Sequence, residues 1–176
     1  MEDPNICTVS CPSPYYKDPT TFKCVLQCPT HPRQYYKVIT STDRRCDVNC
    51  PSGQFRDDLT YSCVDLCPPS PPTYADLTSG NCTAVCSDSY YAHKPTRTCV
   101  NKCPGNMFAD PISRTCVDKC LNGTDTYGDS KLAIPQCVSL CSPTTFSNPY
   151  TLTCVSACGN SPKTYGFDNN THRICL

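Results

Sequence analysis

The chain has 176 residues, a formal net charge of zero, nineteen cysteines, eighteen prolines and no tryptophan. Nine Leu, five Ile, ten Val and five Phe make up about a sixth of it, below the ~20% under which burial alone rarely folds a chain. Ordering costs on the order of 1.5 kcal/mol per residue, so this composition excludes an ordinary globular core.

Cysteine, about one residue in nine, is the covalent substitute, and disulfides at that density imply an oxidising, extracellular setting. The opening Met1–Cys7 stretch has neither the basic nor the apolar segment of a signal peptide, so a processed chain or a piece of a longer polypeptide is expected. No run of about 18 apolar residues forms a membrane span. Balanced charge leaves no electrostatic case for nucleic acid or an anionic membrane surface.

Taken in chain order, the cysteines fall in pairs four apart: Cys7/Cys11, Cys24/Cys28, Cys46/Cys50, Cys63/Cys67, Cys82/Cys86, Cys99/Cys103, Cys116/Cys120, Cys137/Cys141 and Cys154/Cys158, with Cys175 alone at the end. Residues 1–10 read as a partial N-terminal repeat. The modules 11–24, 28–46, 50–63, 67–82, 86–99, 103–116, 120–137, 141–154 and 158–175 then form one continuous array. Each carries a mid-segment aromatic: Tyr16, Tyr36, Phe55, Tyr74, Tyr91, Phe108, Tyr127, Phe146 and Tyr165. A turn former follows two or three places on at Asp18, Asp57, Asp76, Asp110, Asp129, Asn148 and Asp168, and Thr or Arg often leads into the closing cysteine. Val comes next at Val25, Val64, Val100, Val117, Val138 and Val155. An aromatic, a turn residue and a Thr-rich return are strand–turn–strand chemistry, so each module reads as a β-hairpin. Dispersed prolines and the absence of a 3.6 period argue against helices. Longer modules mostly alternate with minimal ones, so hairpins pointing to alternate sides would cluster the insertions on one face.

Serial pairing (11–24, 28–46, 50–63, 67–82, 86–99, 103–116, 120–137, 141–154, 158–175) leaves only Cys7 over, unpaired or bonded to another chain or an upstream repeat. Crossed pairing of adjacent pairs and bonding within each close pair remain alternatives. Zinc is a further one, because a spacing of four fits a four-cysteine site; free-thiol counting under denaturing conditions separates it from disulfides.

Cys-Val-x-x-Cys-Pro, then Tyr or Phe-x-Asp and a Thr-bearing return, resembles the furin-like cysteine-rich repeats of growth-factor receptors, closest to their arrays in secreted and surface proteins of protists. The resemblance spans Cys7 to Cys175. It implies an elongated, solenoid-like ladder of single-disulfide hairpins, mainly β with few or no helices, and the serial pairing. Pro after the second cysteine recurs at Pro12, Pro29, Pro51, Pro68 and Pro104, and Ser87, Leu121, Ser142 and Gly159 replace it elsewhere.

No catalytic constellation is visible, and no cofactor or metal is called. His31, His93 and His172 fall in separate repeats and read as solvated loop residues, and the aspartates as turn caps. Asn122, Asn169 and Asn81 head N-glycosylation sequons, with Ser/Thr/Pro-rich stretches open to O-linked sugar. The expectation is a non-catalytic extracellular building block of a coat, stalk or fibre that self-associates head to tail, since an array without terminal caps exposes repeat faces. A receptor- or ligand-type ectodomain is the alternative, with Tyr15–Tyr16, Tyr35–Tyr36 and Tyr90–Tyr91 as candidate contacts.

Overall fold

The computed structural model describes residues 10–31, 36–39, 43–120, 126–160, 162–169 and 173–176. Cys7, Tyr35, Leu121, Asn122 and His172 lie outside the described residues. Among those described, every regular element is a strand of three or four residues and none is a helix. The chain divides into two compact units, Met1–Ala84 and Val85–Leu176.

In the first unit the hairpins are β1 (Tyr16–Asp18) with β2 (Lys23–Val25), β3 (Tyr36–Ile39) with β4 (Arg44–Asp47), β5 (Phe55–Asp57) with β6 (Ser62–Val64), and β7 (Tyr74–Asp76) with β8 (Asn81–Thr83). In the second they are β9 (Tyr91–His93) with β10 (Thr98–Val100), β11 (Phe108–Asp110) with β12 (Thr115–Val117), β13 (Tyr127–Asp129) with β14 (Gln136–Val138), β15 (Phe146–Asn148) with β16 (Thr153–Val155), and β17 (Gly166–Asp168) with β18 (Arg173–Cys175).

Nine disulfides run serially, one per hairpin. The first unit holds Cys11–Cys24, Cys28–Cys46, Cys50–Cys63 and Cys67–Cys82. The second holds Cys86–Cys99, Cys103–Cys116, Cys120–Cys137, Cys141–Cys154 and Cys158–Cys175. Crossed pairing and bonding within the close pairs are thereby set aside. A three-residue hairpin is too short to persist alone, so each is closed covalently and leans on its neighbour.

The neighbour contact is one parallel bridge. The middle residue of a first strand pairs with the residue before the closing cysteine of the next hairpin: Lys17 with Arg45, Lys37 with Ser62 and Arg56 with Asn81 in one unit. In the other, Ala92 pairs with Thr115, Ala109 with Gln136, Gly128 with Thr153 and Ser147 with Ile174. The strand order is therefore β2-β1-β4-β3-β6-β5-β8-β7 in the first unit and β10-β9-β12-β11-β14-β13-β16-β15-β18-β17 in the second. A first strand running parallel to the next second strand forces successive turns to opposite edges of the sheet.

The hairpins point to alternate sides, as the clustering of insertions on one face required, but the insertions are split between two edges. The longer hairpins share one edge for their turns within each unit, 28–46 with 67–82 and 120–137 with 158–175. The loop before Tyr74, also lengthened, lies on the other edge.

The side chains follow the pleat. Aromatic and turn residue share one face of the strand, while the middle residue shares the opposite face with the closing cysteine across the hairpin. Tyr16 packs on the Cys28–Cys46 disulfide of the following hairpin with Val25 beside it. Tyr91 and Val100 do the same on Cys103, Cys116 and Ala109. The disulfides thus serve as the core as well as the closures, and they supply most of the buried apolar residues described.

Candidate functional site

The sequence nominated aspartates, histidines, tyrosines, cysteines and glycosylation sequons. The aspartates are structural. Asp18, Asp57, Asp76, Asp110, Asp129 and Asn148 are buried at the ends of their strands. Each accepts the backbone N–H two residues on, from Thr20, Leu59, Thr78, Ile112, Lys131 and Tyr150, at 2.8–3.1 Å. Thr21, Thr60 and Ser113 add a hydroxyl at 2.6 Å. These are Asx turns, and every carboxylate so engaged lies in a separate hairpin.

Asp129 also reaches into the next hairpin, accepting the Ser142 N–H at 2.9 Å and its hydroxyl at 2.5 Å. Burial works to raise the Asp129 carboxyl, but the bonds from Ser142 and Lys131 together outweigh it and hold the group below the usual carboxylate range. A proline at 142 would lack that N–H. Among the described residues, the substituted positions Ser87, Ser142 and Gly159 keep the turn as well. Tyr90 N–H donates to Ser87 and Thr145 N–H to Ser142, as Tyr15 N–H does to Pro12, while Thr164 N–H donates to Gly159 as Thr73 N–H does to Pro68.

Two expectations need correcting. His93 is not a solvated loop residue: it is buried at the end of β9 in the position that aspartate holds elsewhere, its Nδ1 2.7 Å from the Thr96 hydroxyl. The signal was its place two residues after the aromatic. Asp168, conversely, stands one residue beyond that position and is exposed. It pairs with Arg173 at 2.7 Å, and Phe167 occupies the place instead. His31 is exposed.

Of the sequons, Asn169 is exposed, whereas Asn81 lies in β8, half-buried and adjacent to bonded Cys82. Eighteen of the nineteen cysteines are held in disulfides. They serve as staples and packing surface. Of the cysteines that open the hairpins, Cys28, Cys67, Cys86, Cys103 and Cys120 are buried, and Cys11, Cys50, Cys141 and Cys158 are half-buried. Among the described residues no group of three or more His, Cys, Asp or Glu converges.

What sequence reading missed is the seam between hairpins. It has three parts. The first is the aromatic, whose ring covers the middle residue of the next hairpin: a Cβ on Gly128 would stand 2.6 Å from the Phe108 ring, and one on Gly166 2.7 Å from Phe146. Ala, Ser or Gly after the aromatic from Tyr74 onward is the sequence trace of this socket.

The second is a carbonyl two residues before the closing cysteine. Phe22, Tyr61, Arg97, Arg114 and Leu152 hold φ of 51–57° there, and Gly80 70°. Left-handed backbone costs a non-glycine residue on the order of 1 kcal/mol. It turns the carbonyl outward: Tyr61, Gly80, Arg114 and Leu152 accept from the N–H of Lys37, Arg56, Ala92 and Gly128 at 2.8–2.9 Å.

The third is the side chain at that same position, which reaches back to the preceding hairpin. The Arg44 guanidinium lies 4.7 Å from the Tyr16 ring centroid and donates to the Pro14 carbonyl. Arg114 donates to Asp88 and to the Ser87 carbonyl. Ion pairs and hydroxyls add to the seam: Lys17 holds Asp43 at 2.7 Å, and the Tyr36 hydroxyl donates to Asp58 at 2.6 Å.

At the first and last hairpins the side chains in the corresponding positions are exposed. On the last hairpin Tyr165, paired with Leu176 by two backbone hydrogen bonds, is 65% exposed where Tyr16 is 8%. Leu176 and Phe167 share its face and are exposed too. On the first hairpin Cys24 is exposed, whereas the closing cysteines of every other hairpin are buried or half-buried, and Phe22 is 92% exposed.

The chain matches no protein-family model and no curated protein. Its class is accordingly defined by its own architecture: a tandem array of cysteine-rich repeats, each a hairpin closed by one disulfide.

Proposed function

We propose that this chain is a non-catalytic extracellular structural protein, a building block of a coat, stalk or fibre, built from repeats of the furin-like type and associating with its own kind. One observation carries this reading. The buried polar residues that recur in seven hairpins, Asp18, Asp57, Asp76, His93, Asp110, Asp129 and Asn148, those an enzyme would have to gather at one point, are spent one per hairpin on turns and seams. Nine disulfides fit an oxidising extracellular setting, and among the described residues no helix is long and apolar enough to cross a membrane. Repeats that touch only their neighbours, each covalently closed, resist proteolysis and extension locally. Of the described sequon asparagines, exposed Asn169 is better placed than half-buried Asn81 to carry a glycan. Electron microscopy of the native material is expected to show threads or sheets; separate compact particles at all concentrations would overturn this assignment.

A second reading, a receptor- or ligand-type ectodomain, draws support from apolar side chains exposed at the hairpin turns, Leu77, Ile112 and Tyr150 among them. It requires a monodisperse monomer that captures one defined protein partner.

A further inference from the structure

The seam between the hairpins 11–24 and 28–46 is built of charge where its neighbours are not. There β1 and β4 meet at Lys17 and Arg45, two cations opposite each other in a parallel bridge, and like charges so placed destabilise a sheet. The other described bridges oppose Lys37 to Ser62, Arg56 to Asn81, Ala92 to Thr115, Ala109 to Gln136, Gly128 to Thr153 and Ser147 to Ile174, none of them two like charges. We propose that this seam is a joint governed by ionic strength: Asp43 locks it by holding Lys17 and Arg45 at once, and screening of that carboxylate lets the two hairpins part.

The Asp43 carboxylate sets one oxygen 2.7 Å from the Lys17 ammonium and the other 3.2 Å from Nη1 of Arg45. It spans the seam, since Lys17 belongs to one hairpin and Arg45 to the next. Asp47 takes Nε of Arg45 at 3.2 Å, so two cations and two anions meet there with no net charge. Lys17, with Arg45 behind it, holds the Asp43 carboxyl below the usual carboxylate range against the cost of burial. The four side chains are 24–39% exposed, within reach of dissolved ions, and partly exposed pairs of this kind weaken as the Debye length falls.

On the opposite face of β1 lies what the joint covers. Tyr16 packs there on the Cys28–Cys46 disulfide, with Arg44 and Lys37 at 4.7 and 5.9 Å from its ring centroid. Parting of the seam uncovers this ring and this disulfide, while the Cys11–Cys24 and Cys28–Cys46 bonds keep each hairpin closed on itself. The joint is independent of which function above the chain serves. The following seams of the same unit provide an internal standard, since the Lys37 and Arg56 amides donate to the Tyr61 and Gly80 carbonyls at 2.8 and 2.9 Å with no opposed cations.

Amide hydrogen exchange of the oxidised 176-residue chain, read residue by residue by NMR and corrected for intrinsic rates, tests each seam separately. Raising salt from about 0.02 to about 0.5 M shortens the Debye length several-fold. It should speed exchange at Lys17 at least about threefold, in the range that exposed ion pairs allow, and leave Lys37 and Arg56 unchanged. Asp43→Asn keeps the shape and loses the charge: its Lys17 amide should exchange fast even in low salt, and added salt should no longer speed it. Lys17→Met in that background removes the opposed cation and should restore slow exchange, now indifferent to salt. A wild-type Lys17 amide that responds to salt no more than Lys37 overturns the joint. An Asp43→Asn amide as slow as wild type overturns the part given to Asp43, and fast exchange that Lys17→Met fails to restore overturns the opposed cations as the cause.

Discussion

Tyr36 shows how one side chain ties two hairpins. It is buried, and its hydroxyl donates to Asp58 of the next hairpin. Burial first, then that bond, pushes its pKa up to about 12. A raised folded-state pKa contributes stability in full below the unfolded value of about 10 and loses it as pH climbs through the folded one. Alkaline spectrophotometric titration should therefore show a late-ionising tyrosine that moves to lower pH in Asp58→Ala while staying above the ordinary tyrosine value, with the native chain loosening between about pH 10 and 12.

Asp129 works in the opposite direction. Its carboxyl is held low, so the stability it contributes is present above about pH 4 and declines as acid protonates the folded form. Amide exchange at Ser142 and Lys131, corrected for intrinsic rates, should accelerate in that acid range and stay slow above it. Gly128 tests the socket, because any Cβ meets the Phe108 ring. Gly128→Val should cost about 1–3 kcal/mol, the usual range for overpacking, read by denaturant unfolding of the oxidised chain. Gly80→Ala differs in kind: nothing crowds its Cβ closely, and its cost comes from the left-handed backbone alone.

At the scale of the hairpin, each disulfide has two roles. It closes a separation of 13–18 residues, worth about 3 kcal/mol on a chain-entropy estimate, and its sulfurs form the surface on which the preceding aromatic packs. Cys103→Ser with Cys116→Ser should remove both at once. The loss is expected to stay local, as protease cleavage within 103–116 and raised exposure of Tyr91 mapped by peptide analysis, with distant hairpins still protected. Spread of the damage through the whole second unit would mean that the hairpins are far more cooperative than nearest-neighbour contacts allow.

For the whole molecule, covalent closure substitutes for apolar burial. Full reduction without denaturant should abolish the β signal in far-ultraviolet circular dichroism, because the remaining apolar side chains cannot offset the ordering cost. A reduced chain that keeps its strands would contradict this account.

Much of the architecture was legible in the residues. Cysteine spacing marked the hairpins, and the aromatic with Asp two places on marked strand and turn, since both patterns act over fewer than twenty residues of chain. The seam was not legible in the same way. Alternating turn direction, the outward carbonyl at Leu152 and the socket at Gly128 all depend on where a neighbouring hairpin's backbone runs. That course is set by one parallel bridge per hairpin, which leaves no periodic mark of its own in any segment. Composition and spacing thus determined the repeat and its covalent closure, whereas only the tertiary structure decided which faces the repeats turn to one another, because a contact between neighbours is a property of both backbones together.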